Sequence, residues 1–192
     1  TQEGVRGNEN NPDAFHNTVL PFTRFISGAA DYTFCFPNQN DEFNKGLLTK
    51  KLQVSKAQQL ALPVIFFSPL QSLFWYGIPK DYKKEDEIEF YKYLPTVWDK
   101  TIPLKGEIGE YISVAREKDR VWYVGSITAF KDRSDELGLT FLENGIKYTA
   151  IIYEDDGYGG IKKSNLVVDY KSKLKLNIMA KGGQVAMIIP IE

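Results

Sequence analysis

Cysteine is nearly absent from this sequence. Cys35 stands alone, so no intrachain disulfide can form. A lone thiol says little about redox compartment. An excess of either charge is lacking too. The formal net charge is −1, which removes the electrostatic case for nucleic acid or an anionic membrane surface as a partner. No apolar run approaches the roughly 18 residues that a membrane-spanning helix needs. Histidine occurs once, at His16. That residue reads either as a substrate-binding group or as a loop side chain that fills a gap.

What is present is a core. Hydrophobic residues make up 43% of the 192 positions and aromatics 14%, enough for a sizeable interior and too much for disorder along most of the length. The length suits one large domain or two small ones.

The chain divides by pattern near residues 94–98. Before that point it reads as loop and helix. Asn10 to Asn17 is polar, with Pro12, and reads as loop. A second loop runs from Phe36 to Thr49. Ser55 is a candidate N-cap for a helix through Leu60, Leu62, Val64, Ile65 and Phe66, apolar nearly all round as a buried helix should be. Pro63 inside it predicts a kink, and Ser68-Pro69 predicts a second helix to Tyr76. Asp81 to Leu94 predicts a short amphipathic helix with a charged, solvated face.

From Val97 the chain changes to short β-type runs: 97–104, 108–116, 121–130, 137–141, 146–153, 165–170, 173–180 and 184–191. Asn144-Gly145 is a hairpin signal. Lys173 to Ile178 alternates strictly, as a half-buried antiparallel strand does. About eight short strands predict an antiparallel β-sandwich. Glu154-Asp155-Asp156-Gly157 reads as a solvated acidic turn, because it lacks the ligand spacing of an EF-hand loop. Trp98, Trp122 and Tyr123 read as packing residues rather than a sugar platform.

The stretch with chemical interest is Glu3-Gly4-Val5-Arg6-Gly7-Asn8-Glu9. Two glycines between two carboxylates let the backbone fold back, so that both acids reach one site. Paired acids suit glycoside hydrolysis. A frayed tail with two solvated glutamates fits the same composition. Arg24 reads as a carboxylate-orienting group or as the partner of Asp31.

Taken with His16-Asn17-Thr18-Val19-Leu20-Pro21-Phe22-Thr23-Arg24, Asp31-Tyr32-Thr33, Gln59-Leu60-Ala61-Leu62, Ser68-Pro69-Leu70-Gln71, Pro95-Thr96-Val97-Trp98-Asp99, Gly109-Glu110-Tyr111-Ile112 and Trp122-Tyr123-Val124-Gly125, this stretch resembles the C-terminal part of glycoside hydrolase family 97. The family includes α-glucosidases and α-galactosidases. The resemblance implies the C-terminal end of a (β/α)8 barrel over residues 1–95, followed by an antiparallel β-sandwich domain over 96–192. It implies that Glu9 is the general acid and Glu3 a ligand of Ca2+. A metal-bound carboxylate is held ionised, whereas a proton donor needs its pKa raised, so the two acids require different surroundings.

The chain starts at Thr1 rather than Met, and with the resemblance this leads us to expect part of a longer enzyme. The base or nucleophile would then lie upstream, and the remainder of that enzyme would be a partner. The fragment alone should be inactive. The substrate implied is an oligosaccharide or other α-glycoside, and the location periplasmic. The sequence departs from the family pattern at Phe34-Cys35 (commonly Pro-Gly), Gln58 (often His) and Phe67 (often Glu). A non-catalytic carbohydrate-binding or accessory module of a degenerate glycosidase is the alternative.

Overall fold

The computed structural model describes residues 13–37, 54–76 and 85–191. Glu3, Glu9 and most of the loop expected at 36–49 lie outside the described residues.

Helix α1 spans Ala14–Val19, strand β1 Tyr32–Pro37, helix α2 Lys56–Ile65, strand β2 Gln71–Tyr76 and helix α3 Glu85–Tyr93. Eight strands follow: β3 Lys100–Glu107, β4 Tyr111–Lys118, β5 Val121–Thr128, β6 Arg133–Gly138, β7 Tyr148–Asp155, β8 Ile161–Val168, β9 Lys173–Ile178 and β10 Gly183–Pro190. Six form one antiparallel sheet in the order β3-β4-β5-β10-β7-β8. The other two, β6 and β9, pair antiparallel in a sheet of their own. The chain is therefore mostly antiparallel sheet, and the second half is the sandwich its strand pattern predicted.

Burial along the strands explains the layering. β9 alternates between exposed and buried at every step, one face to solvent and one to the core. β4, β5 and β10 are buried on consecutive residues, which requires cover on both faces of the large sheet. One face meets β6 and β9 across a core of Trp122, Val124, Leu137, Leu139, Ile152, Leu174, Leu176 and Ile188. The opposite face meets residues from before the pattern change: Leu60, Leu62, Val64, Ile65, Phe66 and Phe90 pack on Ile112, Val114, Tyr123, Ile127, Tyr153 and Val185. Each of the larger aliphatic or aromatic side chains buried there contributes about 1.5–3 kcal/mol by removal from water.

All ten residues of α2 are buried. Two glycines make its close approach possible. A methyl at Gly125 on β5 would lie 3.0 Å from Ala61 O and 3.1 Å from Val64 Cβ. One at Gly183 on β10 would lie 2.6 Å from Gln58 Cα and 2.8 Å from its N. The helix backbone thus rests directly on the sheet.

Several expectations are corrected. Asn10–Asn17 was expected to be loop throughout, but Asp13 Oδ1 accepts from His16 N at 2.8 Å and caps α1. No second helix follows Ser68. The Ser68 hydroxyl donates to Leu70 O at 2.8 Å in a turn, and Gln71–Tyr76, rich in β-forming side chains, pairs parallel to β1. The departure at Phe34-Cys35 falls inside β1, not in a turn, and Phe34 is buried against Tyr32. Pro63 lies inside α2, as its position in the run implied. Tyr91 Oη of α3 lies 3.5 Å from Gln59 O, the carbonyl that Pro63, lacking an N–H, cannot engage. Asn144-Gly145 closes no hairpin, because β6 pairs with β9 and the turn carries the chain across to β7 in the other sheet. Hairpins form instead at β3–β4, β4–β5 and β7–β8, and the β4–β5 turn is made by Asp119 (φ 50°) and Arg120 (φ 67°), both in the left-handed region as in a type I′ turn. Asp99 holds it, accepting from Asp119 N at 3.0 Å and pairing with Lys118 at 2.9 Å.

Candidate functional site

The polar groups that the fold brings together cluster around α2. At its N-terminus Ser55 Oγ accepts from Gln58 N at 3.0 Å, as the sequence predicted. Asp155, from the end of β7, joins the same helix end. Its carboxyl hydrogen-bonds the Ser55 side chain and the Ala57 backbone, and accepts from Gly183 N at 3.2 Å. Burial pushes this carboxyl above its ordinary range, and the hydrogen bonds only partly offset that. Asp155 is therefore not part of a solvated turn. Its neighbour Asp156 shapes that turn, with Oδ1 accepting from Tyr158 N at 2.7 Å and Gly160 N at 2.9 Å.

At the C-terminus of α2 the sandwich supplies a cation. Arg116 on β4 is 5% exposed and donates to Val64 O and, at 3.2 Å, to Ile65 O, two of the helix's last carbonyls. A third bond, 2.8 Å long, goes to Thr101 Oγ1. Burial pushes the guanidinium down to about 10, which leaves it charged at neutral pH. A cation at the end of a helix complements the macrodipole.

Between these ends lies Gln58, fully buried. Its carbonyl accepts from Asn17 Nδ2 at 2.9 Å, and its amide donates to Thr128 O and Gly182 O, each at 3.1 Å. One side chain thus ties α1, α2, the end of β5 and the β9–β10 turn. Tyr32 Oη reaches the same cluster, 3.5 Å from Asn17 Oδ1. The departure at Gln58 has its function in this tie.

α3 is fixed beside it. Tyr123 Oη donates to Tyr93 O at 2.7 Å, and Phe90 is fully buried between Tyr123 and Tyr153. Glu89 pairs with Lys163 and accepts from Tyr153 Oη at 3.4 Å, and the Lys163 bond holds its carboxyl below the usual range.

Arg24 does not pair with Asp31 among the described residues. It donates to Gly28 O at 3.3 Å and Ala29 O at 3.1 Å. His16 is exposed on α1. Trp122 is buried against Phe141, and Trp98 packs edge-on to Tyr123 at 5.2 Å, so neither forms an open platform. Phe67 lines a groove of about 510 Å³ with Phe22, Phe25, Pro103, Ile112 and Arg116. Among the described residues no group of three His, Cys, Asp or Glu side chains is placed to hold a metal ion. No helix among them is long and apolar enough to cross a membrane.

The sequence reading missed Asn17, Gln58, Arg116 and Asp155. One signal was available: a charged side chain, Arg116, directly after Val114-Ala115 inside a β-type run.

Residues 97–189 match the family model described as "Glycosyl-hydrolase 97 C-terminal, oligomerisation". The chain is 33% identical over 188 residues to the retaining α-galactosidase of Bacteroides thetaiotaomicron, a match covering 88% of this chain and 26% of that protein. Residues 97–189 belong to the C-terminal domain of glycoside hydrolase family 97. A family 97 enzyme from Pseudoalteromonas sp. strain K8, solved in complex with acarbose, superposes with a TM-score of 0.81 at 30% identity, covering 97% of this chain and 30% of its own. A β-arabinopyranosidase structure superposes at 0.76 with 26% identity, covering 91% of this chain and 27% of its own. A Streptomyces bingchenggensis protein named as a probable retaining α-galactosidase is 31% identical over 97% of this chain and 28% of itself. The chain thus spans 26% and 28% of the lengths of these two curated relatives.

Proposed function

We propose that this chain is the C-terminal part of an exo-acting α-glycoside hydrolase of the α-galactosidase type. Residues 97–189 form its oligomerisation module, and residues before about 95 contribute to a catalytic (β/α)8 barrel. The observation that carries the proposal is likeness to family 97 proteins along nearly the whole chain, including a retaining α-galactosidase and an enzyme solved with acarbose. The fold gives local support. β1 and β2 are parallel neighbours joined through α2, the repeating unit of such a barrel. β1 and β2 end at Pro37 and Tyr76, and the carboxyl ends of barrel strands are where such enzymes carry their catalytic residues.

In this reading Glu9 donates the proton to the departing glycosidic oxygen. Glu3 offers one carboxylate to Ca2+. Calcium takes six to eight oxygen ligands, of which Glu3 would be one. Export to the periplasm follows the family.

The test is Glu9→Gln in the intact enzyme, assayed on an unactivated α-galactoside. Loss of a general acid should lower kcat/KM by about 10²–10⁴-fold, with much less effect on an aryl glycoside whose leaving group needs no proton. Near-normal turnover of the unactivated substrate removes Glu9 from the role. A non-catalytic accessory module is the second reading, favoured by the oligomerisation description of residues 97–189. Calcium titration of the intact protein with and without Glu3→Gln separates the two: the enzyme reading requires weaker binding in the variant.

A further inference from the structure

The six-stranded sheet ends in two edges of opposite character. β3 is guarded. Pro103 removes a backbone donor and the register shifts between Pro103 and Lys105, while charged residues run along the strand: Lys100 paired with Glu117, Lys105 paired with Asp135, and Glu107 at its end. Proline, a bulge and charge are the devices that keep an edge strand from pairing with another chain.

β8 has none of these in its second half. It contains no proline and pairs with β7 without a register shift. Its two lysines sit at one end and are neutralised inside the chain, Lys162 by Glu154 at 3.2 Å and Lys163 by Glu89. The rest, Ser164-Asn165-Leu166-Val167-Val168, is uncharged, with Leu166 40% and Val167 62% exposed. Among the described residues no strand pairs with its outer side. Alternate residues of an antiparallel strand turn N–H and C=O away from the partner they already have, so this side presents a row of donors and acceptors.

We propose that β8 is the assembly edge, and that its occupant is β8 of a second copy, antiparallel about a twofold axis at Leu166. The proposal rests on the oligomerisation reading of residues 97–189. Two identical strands meeting antiparallel form an isologous contact, which closes as a dimer. Symmetry then sets the register. Centring on Leu166 pairs Ser164 with Val168 and Asn165 with Val167, so the whole uncharged run meets itself. Lys163 falls opposite Asp169 and Lys162 opposite Tyr170, so no like charges face each other. The two large sheets become continuous across the axis.

The test is sedimentation of the intact protein, of Val167→Lys, and of Glu107→Lys on the guarded edge as control. The expected result is a dimer for the parent and the control, and dimerisation at least tenfold weaker for Val167→Lys with an unchanged melting curve. Mild oxidation of Leu166→Cys should link two copies above the background set by Cys35, and Lys162→Cys should not. A dimer indifferent to Val167→Lys and unlinked through Leu166→Cys overturns the β8 edge but keeps the assembly reading. A parent that stays monomeric overturns both.

Discussion

The two faces of the six-stranded sheet are covered in different ways. Toward β6 and β9 the cover comes from within residues 97–189 and is largely apolar, with Leu137, Leu174, Leu176 and Ile178 all about 2% exposed or less. Toward α2 the cover comes from earlier in the chain and is fastened by polar bonds as well: Gln58 to Thr128 and Gly182, Asp155 to the helix start, and Arg116 to its end. Apolar contact is tolerant of small shifts, whereas hydrogen bonds fix position. The first face stabilises the sandwich. The second also fixes where the sandwich sits against the preceding helices.

The largest test of this difference is excision. Residues 97–191 alone would bare Ile112, Val114, Tyr123, Ile127, Tyr153, Val185 and Met187. We expect aggregation or dye binding to exposed apolar surface, in contrast to the intact chain. A soluble excised piece that melts cooperatively would show that the face toward α2 needs no cover.

Next in size is Gln58→Leu, which keeps bulk but leaves two carbonyls and the Asn17 amide without their partner. Chemical denaturation should register a loss of about 3 kcal/mol. A loss near zero would mean that the polar fastening is incidental to the apolar packing.

Asp155→Asn probes the sign of an electrostatic contest, burial against the helix N-terminus. Because the folded carboxyl is raised, the native state binds its proton more tightly than the unfolded chain does. The wild type should therefore lose stability as pH rises from the ordinary aspartate value through the raised one. Asp155→Asn should lack that slope, so its melting temperature gains on the wild type between acid and neutral pH. The reverse trend would mean that the helix end wins.

The smallest effect belongs to Glu89→Gln. The pair with Lys163 is partly exposed, so about 0.5 kcal/mol is expected, declining with salt. Glu89 is lowered in the fold, so its contribution is present above the ordinary glutamate value and fades as pH falls. A salt-independent loss of several kcal/mol would make α3 part of the polar fastening.

Much of this was legible in the sequence because local pattern fixes local structure. The alternation of Lys173 to Ile178 reports one wet face and one dry face, and the structure has both. Ser55 and the apolar run after it report a buried helix. The partners of these elements were not legible. Asn144-Gly145 signals a turn equally well whether the chain returns along its neighbour or crosses to another sheet. Leu73-Phe74-Trp75-Tyr76 is as apolar as a helix face, and only pairing with β1 decides for strand. The continuous burial of β4, β5 and β10 was the overlooked clue. Strands that do not alternate need a layer on each side, and β6 and β9 supply only one.

Gly125 and Gly183 carry that clue further. Side chains at these positions would lift the helix off its bed, so neither can drift in sequence without the helix drifting too. They amount to a footprint. Side chains placed at both would erase that print and leave the helix without a seat.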